Sequence, residues 1–300
     1  MIALRTVVCP VDFSPATPRQ VDLAADLCQA FGGKLVVHHN RHSLGTGASV
    51  GWMWKADHVG ESRSALEAKL SDCMARVPDG IRTEGLITEG PVSRAVLAVL
   101  EAVDADLVVL TSHGTLSDTH ASITEQLLER SQRAVLVLHE PVVETRTPHF
   151  ASPSAGRQVV VAPTDLTPES RGAIDLGVDL ARALPIDLHL LHLLPNGRGG
   201  RSVDPAVEEA ARRQLRALLP EDFADRATLH VEHGEPADGI TRAADQLSAA
   251  CIVMGEHART GLRRWFSRDT SRAVLHQARC PVWYVPGARA VSAARRPARA

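Results

Sequence analysis

The chain repeats itself, and this repeat restricts its fold more than any other feature of the sequence. A shift of 153 residues superimposes five pairs of identical residues without a gap: Asp12 and Asp165, Pro15 and Pro168, Asp22 and Asp175, Leu27 and Leu180, His39 and His192. Further along, a shift of 144 residues places Gly90 on Gly234 and His113 on His257. Self-similarity on this scale indicates a duplicated domain of about 130–145 residues.

A segment without an apolar period separates the two copies. Residues 141–156 are rich in Pro, Ser and Thr, which is typical of a linker. We therefore expect a first domain over residues 1–140, a linker over 141–156 and a second domain over 157–287. Residues 288–300 carry a run of basic residues and are predicted to be a disordered tail.

Each copy alternates strand and helix patterns five times. In the first copy the predicted strands are Thr6–Pro10, Lys34–His39, Ile81–Thr88, Leu107–Leu110 and Ala134–His139. Such alternation favours an α/β domain with a parallel sheet and helices on both faces. Ligands of these sheets bind beyond the carboxyl ends of the strands, where the strand order reverses. We expect the first and fourth strands of each copy to flank that point.

A turn follows the first strand of each copy and leads into a helix. Ser14 followed by Pro15 is typical of an N-cap and a first helical position, and Thr167 followed by Pro168 repeats the pattern. Asp12 precedes the first of these turns and Asp165 the second. An aspartate here is either an ordinary turn residue or a ligand contact, and the pattern leaves both interpretations open.

Composition narrows the class of protein. With 44% hydrophobic residues in 300, the chain can bury substantial cores. The formal net charge of −2 gives no electrostatic argument for a nucleic acid or a membrane as a partner. The five cysteines include no C-x-x-C pair and suit a reducing compartment. No signal peptide or membrane span is recognisable, so we expect a cytoplasmic protein.

Two similar stretches run from a buried strand into a loop that contains glycine. They are Cys251–Gly261, with the sequence CIVMGEHARTG, and Asp106–Leu116, with the sequence DLVVLTSHGTL. A strand that breaks into such a loop before a helix is a natural place for an anion, because backbone N–H groups and the helix N-terminus both face it. These loops are the first candidates for a binding site.

Five motifs of the second copy are similar to the universal stress protein family. They are Val161-Ala162-Pro163-Thr164-Asp165, Leu190-Leu191-His192-Leu193, Gly234-x-Pro236-x-x-x-Ile240, Cys251–Gly261 and Cys280-Pro281-Val282-Trp283-Tyr284-Val285. The resemblance covers essentially both halves, so the chain resembles a tandem universal stress protein. This implies two doubly wound, Rossmann-like domains of the adenine-nucleotide α-hydrolase type, each with a five-stranded parallel sheet of order 3-2-1-4-5.

The resemblance also implies a nucleotide-binding pattern, which the second copy only partly keeps. In the ATP-binding branch of the family the fourth strand is followed by G-x-x-G, nine residues and G-[S/T]. Gly255 fits the first position, but Ala258 replaces the second glycine, and Arg268-Asp269 stands where G-[S/T] is expected. The carboxylate of Asp269 would oppose an anionic ligand and is better interpreted as a helix N-cap.

The first copy departs from the same pattern at other positions. Thr111 replaces the first glycine, Gly114 fits the second, and only six residues precede Ala121-Ser122 at the G-[S/T] position. The nucleotide-binding candidates that the resemblance implies are Pro10, Asp12, Asn40, Leu110, Gly114 and Ser122 in the first copy, and Pro163, Asp165, Leu193, Met254, Gly255, Ala258, Arg268 and Asp269 in the second. ATP or another adenine nucleotide is therefore the cofactor to test, and neither copy has the whole motif.

The densest histidine group gives little support for a metal site. It comprises His38, His39 and His42, with His58 further along the chain. Zinc needs three or four converging ligands, whereas adjacent residues of a strand point to opposite faces. We expect no metal here.

The final strands suggest how the two halves associate. Ala134–His139 and Pro281–Val285 would be sheet edges, and apolar edges invite pairing. The resemblance implies that the halves pair along these strands within one chain. A further homodimer is possible, and any protein partner is unknown.

Three hypotheses of function follow. The first is a cytoplasmic stress-response protein that acts as a regulatory or partner-binding module with degenerate nucleotide sites. The second is an adenine-nucleotide sensor that uses one of the two halves. The third is an enzyme such as a slow ATPase, which lacks a recognisable catalytic set: His113 and His257 have no nucleophile or paired carboxylate nearby in the sequence.

Overall fold

The computed structural model describes most of the chain. The described residues are 4–41, 61–112, 123–139, 150, 157–195, 204–255 and 268–286. The chain divides into two compact units, which consist mainly of residues 3–144 and 152–300. The exact domain and linker bounds predicted from the sequence stay a prediction.

The first unit contains a five-stranded parallel sheet. Its elements are β1 (Thr6–Pro10), α1 (Thr17–Phe31), β2 (Lys34–Arg41), α2 (Arg63–Met74), β3 (Thr83–Glu89), α3 (Val92–Ala102), β4 (Leu107–Ser112), α4 (Ile123–Arg130) and β5 (Ala134–His139). The strands lie in the order β3-β2-β1-β4-β5, and each neighbouring pair is parallel.

The second unit repeats this architecture. Its elements are β6 (Gln158–Pro163), a single 3-10 turn (Pro168–Ser170), α5 (Arg171–Ala183), β7 (Ile186–Leu194), α6 (Pro205–Ala217), β8 (Thr228–His233), α7 (Pro236–Gln246), β9 (Cys251–Gly255), α8 (Arg268–Gln277) and β10 (Val282–Val285). The strand order β8-β7-β6-β9-β10 is parallel throughout. Both units therefore confirm the predicted order 3-2-1-4-5.

Helices cover both faces of each sheet because the connections change direction after the third strand. In the first unit α1 contacts α2, and α3 contacts α4. In the second unit α7 contacts α8, while α5 packs on β6 and β7. The central strands are apolar and fully buried, as at Val7, Val8 and Cys9 of β1. Burial on both faces explains why these strands read as continuous apolar runs rather than alternating ones.

The predicted start of α1 was wrong by two residues. Helix α1 begins at Thr17 rather than beside Ser14, because the Asp12 carboxylate accepts a hydrogen bond from the Ser14 backbone N–H (2.9 Å). This turn also places Phe13 at a positive φ of 58°. In the second unit Thr167 does precede a helical turn, but that turn is a 3-10 helix before α5.

Three strands extend beyond their predicted ends, β3 by the single residue Glu89. Strand β2 continues to Arg41, because its pairing with β3 continues to Glu89. Strand β4 continues to Ser112, which pairs with His139 of β5. The polar residues at these ends gave no strand signal in the sequence. The register with neighbouring strands determines where the strands end.

All five cysteines are free thiols in buried positions. Burial raises the pKa of Cys28 and Cys280 to about 12, so both thiols stay protonated and unreactive. Cysteine thus acts as a small apolar residue in both cores. Within the part of the chain that the structure describes, no helix has the length and apolar character needed to cross a bilayer.

Candidate functional site

A gap between the two central strands opens at the carboxyl edge of each sheet. Strands β1 and β4 pair only at Val7 with Leu107 and at Val8 with Val108, although both continue further. In the second unit β6 and β9 likewise pair only over Val160–Val161 and Cys251–Ile252. The strand order reverses at these points, where ligands of doubly wound sheets bind. The sequence correctly predicted which strands flank this edge.

In the first unit a glutamine side chain bridges this gap. Gln20 of α1 is 1% exposed, and its amide nitrogen donates to the carbonyl oxygens of Pro10 (2.7 Å) and Val109 (2.7 Å). These carbonyls belong to β1 and β4, so one amide group joins the two strands where they separate. Sequence analysis missed Gln20.

Among the described residues of the second unit this bridge is absent, because the residue at the equivalent position is Ala173. The shift of 153 residues that relates the two copies maps Gln20 onto Ala173, whose methyl group makes no hydrogen bond. Ala173 is fully buried in α5. The two candidate sites thus differ at their centre, although their strands and turns are alike.

The aspartates after β1 and β6 organise their own turns. Asp12 Oδ1 accepts from the Ser14 N–H (2.9 Å) and from the Thr17 hydroxyl (3.2 Å). Asp165 Oδ1 accepts from the N–H (3.1 Å) and the hydroxyl (2.6 Å) of Thr167. These contacts are those of ordinary turn aspartates. Contact of either aspartate with a ligand stays a prediction.

A histidine at the end of the second strand holds the same turn in each unit. His39 donates from Nδ1 to the Val11 carbonyl (2.9 Å), and His192 donates from Nδ1 to the Thr164 carbonyl (2.8 Å). The ring of Phe13 stacks on His39 at 4.3 Å between centroids. Burial lowers the pKa of His192 despite its hydrogen bond to Thr164. The identity of His39 and His192 in the repeat was the signal for this structural role.

Asn40 forms a buried polar network at the end of β2. Its Nδ2 donates to the Gly90 carbonyl (2.9 Å), and its Oδ1 accepts from the Thr88 hydroxyl (3.0 Å). Because that hydroxyl hydrogen points to Asn40, Thr88 Oγ1 accepts from Nε2–H of His38 (2.7 Å). Asn40 is 4% exposed, and its amide takes part in these hydrogen bonds.

His38 is fully buried and neutral. Burial, and to a lesser extent the neighbouring His39, lower its pKa from 6.5 to about 4. The Thr88 contact fixes the proton on Nε2, and Nδ1 has no hydrogen-bond partner within the described structure. A protonated ring would place a second N–H in this apolar position, which opposes protonation.

The second unit replaces the Asn40 network by apolar packing. Leu193, which the repeat aligns with Asn40, is buried. It lies so close to Gly239 of α7 that an added Cβ there would come within 2.6 Å of Leu193 Cδ1. Leu193 therefore fits closely against the α7 backbone, and its side chain has no polar group for a ligand.

The fourth strand of each unit brings its candidates to the same edge. Leu110 of β4 is 6% exposed, and Met254 and Gly255 end β9 in buried positions. Pro10 and Pro163 end the neighbouring central strands β1 and β6. Three further candidates, Gly114, Ser122 and Ala258, lie outside the described residues, as do His42 and His58 of the histidine group and the loop histidines His113 and His257.

Helix α8 begins at the predicted phosphate position. Arg268 is its first residue, and Asp269 lies exposed in its first turn. Asp269 is therefore inside the helix rather than capping it, and the helix begins two residues earlier than the prediction implies. Its negative charge still complements the positive end of the helix dipole and competes with a phosphate for that end.

The histidines His38 and His39 do not converge on one point. They lie on adjacent residues of β2, with ring contacts to Thr88 and to Val11. His189 and His230 of the second unit do meet, with Nδ1 and Nε2 2.8 Å apart. Among the described residues, however, there is no group of three or more His, Cys, Asp or Glu side chains that could hold a metal ion.

Comparison with solved structures shows the same fold in other proteins. A universal stress protein from Archaeoglobus fulgidus matches with a TM-score of 0.65 at 16% identity, over 94% of this chain and 96% of that chain. A protein of Pseudomonas aeruginosa UCBPP-PA14 assigned to the universal stress proteins matches with a TM-score of 0.63 at 18% identity, over 97% and 96% of the two chains.

Sequence comparison identifies curated relatives. Universal stress protein E of Salmonella typhi is 35% identical over 82 residues, which span only 26% of that relative and 26% of this chain. A universal stress protein of Methanocaldococcus jannaschii is 24% identical over 136 residues, which are 42% of this chain and 80% of the relative. The model of the universal stress protein family matches residues 3–139 and again residues 156–286. Because one family model matches both halves, the chain belongs to the universal stress protein family and carries two of its domains in tandem.

Proposed function

We propose that this universal stress protein is a cytoplasmic stress-response module that acts by regulation or by binding a partner, and that its nucleotide sites are degenerate. The observation that carries this proposal is the Gln20 bridge between Pro10 and Val109. The five buried thiols are compatible with a reducing cytoplasm.

The Gln20 bridge disfavours a ligand in the first unit. A ribose or base bound between β1 and β4 would have to displace an amide that is already hydrogen-bonded to both strands. Displacement would leave two buried carbonyl oxygens without a donor, at about 1–3 kcal/mol each. A ligand contact to Asn40 would compete with the hydrogen bonds that its amide already makes to Gly90 and Thr88.

The nucleotide content of the purified protein tests this proposal. The protein would be denatured and the supernatant separated by anion-exchange chromatography, with absorbance read at the adenine maximum. We expect less than one nucleotide per ten chains. A sample mixed with a known amount of ATP before denaturation controls for recovery. Stoichiometric release of a nucleotide would contradict degenerate sites.

The second unit is the better candidate if the protein senses an adenine nucleotide. Ala173 replaces Gln20 there, so no glutamine amide bridges the carbonyl edges of β6 and β9. Gly255 also keeps the first glycine of the expected loop. This alternative predicts that any released nucleotide comes from the second unit, so that Gly255→Leu abolishes its release while Gln20→Ala does not.

Restoring the phosphate position is expected to increase ATP affinity. The double substitution Arg268→Gly and Asp269→Ser removes the carboxylate from the first turn of α8 and restores a hydroxyl donor there. For an exposed carboxylate, removing that repulsion is worth about 0.3–1 kcal/mol, or roughly two- to fivefold in affinity. Thermal shift with Mg-ATP would measure the gain.

Asp238→Ser is the matched control for this gain. Asp238 lies in the first turn of α7, as Asp269 does in α8, so the control removes the same charge from a different helix. An equal thermal shift for both variants would attribute the effect to the loss of any first-turn carboxylate rather than to the phosphate position. No shift for the double variant would place the limitation at Ala258 or at another feature of the loop.

A further inference from the structure

Two histidine side chains meet on one face of the second sheet. His189 lies on β7 and His230 on β8, which are neighbouring parallel strands. The Nδ1 atom of His189 and the Nε2 atom of His230 are 2.8 Å apart. Both rings are half-buried, so solvent reaches them. We call these two residues the strand histidine pair.

The internal repeat shows that the fold does not require this pair. Strands β7 and β8 pair in the same register as β2 and β3 of the first unit. The register and the two sequence shifts agree in matching His189 with Val36 and His230 with Leu86. Val36 is fully buried. Because two apolar residues serve these positions in the first unit, the imidazoles of the second unit are additions that the architecture does not need.

The two rings share one hydrogen bond. A neutral imidazole carries a proton on one nitrogen and a lone pair on the other, so one ring donates and the other accepts. Burial lowers the pKa of both His189 and His230, which keeps both rings neutral near neutral pH. Neutral imidazole is the form that binds metal ions. When the donating ring moves its proton to its other nitrogen, both meeting nitrogens offer a lone pair and the charge is unchanged.

The separation of the two nitrogens indicates which ions fit. Metal–nitrogen bonds of about 2.0–2.1 Å place two ligands about 2.8–3.0 Å apart in adjacent square-planar positions, and about 3.3–3.4 Å apart in tetrahedral ones. The observed 2.8 Å matches the square-planar value, which is typical of Cu²⁺ and Ni²⁺. The rings now face each other, so each must rotate for both lone pairs to converge on one ion.

The surrounding charges disfavour a hard cation. Asp187 and Glu232 lie on the same face of their strands as the histidines, two residues away from them. Each carboxylate already forms an ion pair, Asp187 with Arg157 and Glu232 with Arg242. Arg212 of α6 adds a positive charge that acts on His230. Mg²⁺ and Ca²⁺ depend on carboxylate oxygens, whereas Cu²⁺ and Ni²⁺ bind imidazole nitrogen.

We propose that the strand histidine pair chelates a single Cu²⁺ or Ni²⁺ ion, with water completing its coordination. Among the described residues no third protein ligand joins the pair, so the site is open and its ion exchanges with solvent. The inference is independent of the proposed function, because it concerns the face of β7 and β8 and involves neither Gln20 nor α8.

Titration with Cu²⁺ tests the site. Substoichiometric Cu²⁺ would be added to the ¹⁵N-labelled full chain, because the tightest site fills first and the paramagnetic ion broadens the signals of nearby amides. We expect selective broadening of the amide signals of residues 188–190 and 229–231, which lie around the pair. Mg²⁺ is the matched control and should leave these signals unchanged. Broadening confined to other histidines would overturn the proposal.

Variants connect the binding to the pair. His189→Val with His230→Leu copies the first unit, so we expect the double variant to fold and to lose the broadening of β7 and β8. His230→Leu alone leaves one ligand, and we expect Cu²⁺ affinity to fall at least about tenfold, since losing even a second-shell partner costs about 10–100-fold. His276→Gln removes an exposed histidine of α8 and should change neither result.

Unchanged broadening of β7 and β8 in the double variant would overturn the site. If the double variant does not fold, His230→Leu decides: unchanged Cu²⁺ affinity would overturn the proposal, and the expected loss would support it.

Discussion

Replacing Gln20 with alanine is expected to lower the free energy of unfolding of the first unit by about 2–4 kcal/mol. The substitution removes the donor to two buried carbonyl oxygens, at Pro10 and Val109, and leaves a small void beside β1. Urea unfolding would measure the loss. Because the two units are separate in sequence, we expect the transition of the first unit to move and that of the second to stay.

Two further variants separate hydrogen bonding from packing at this position. Gln20→Met keeps the length and volume of the side chain but offers no donor. We therefore expect its free energy of unfolding to fall by most of the amount lost in Gln20→Ala. Ala173→Ser changes the equivalent position of the second unit. It tests whether any substitution at this point of the helix destabilises as much as Gln20→Ala, and we expect it to change the free energy of unfolding by less than about 1 kcal/mol. Wild-type stability of Gln20→Met would mean that the bridge contributes no stability.

The fold follows from the sequence because the repeat and the strand pattern agree. Once Asp12 is aligned with Asp165 and His39 with His192, each copy contains the same pattern of five strands and their connecting helices. Apolar runs such as Thr6–Pro10 then mark central strands that are buried on both faces. The start of α1 was harder to predict. The turn formed by Asp12 makes the helix begin at Thr17, although the Ser14-Pro15 pair is typical of an earlier start.

The candidate site was predictable at the level of the sheet edge but not of its chemistry. The family motifs place candidates such as Asn40 and Gly255 at the carboxyl edge, and the strands bring them there. They give no sign that Gln20 occupies the centre of the first site. A polar residue on a helix, such as Gln20, is usually expected to face solvent and to make no contact with the core. Only its alignment with the buried Ala173 distinguishes it.

The repeat distinguishes the roles of the adjacent histidines His38 and His39, which the amino-acid composition alone does not. His39 has an identical counterpart, His192, and both donate to the carbonyl of a turn residue. His38 has Leu191 as its counterpart, which marks a position that is apolar in one copy and titratable in the other. A metal site inferred from the adjacency of His38 and His39 does not account for this difference between their counterparts. His38 is a core residue whose charge state affects stability.

Acidification is therefore expected to destabilise the first unit through His38. Its pKa is about 4 in the folded chain and about 6.5 when unfolded, so above pH 6.5 the ring is neutral in both states and imposes no penalty. Between pH 6.5 and 4 the unfolded chain takes up a proton that the folded chain does not. The free energy of unfolding falls across this window by up to about 3 kcal/mol, at about 1.4 kcal/mol per pH unit.

The substitution His38→Leu, which copies Leu191 of the second unit, isolates this contribution. Urea unfolding of both proteins at pH 7, 5.5 and 4 cancels the titration of all other groups in the difference between the two curves. We expect the variant to gain stability relative to the wild type as the pH falls, by up to about 3 kcal/mol at pH 4. Thr88→Val removes the partner of Nε2 but keeps the buried ring, so it should lower stability at pH 7 and retain the pH dependence. A difference between wild type and His38→Leu that does not change with pH would show that His38 ionises as readily in the folded chain as in the unfolded one.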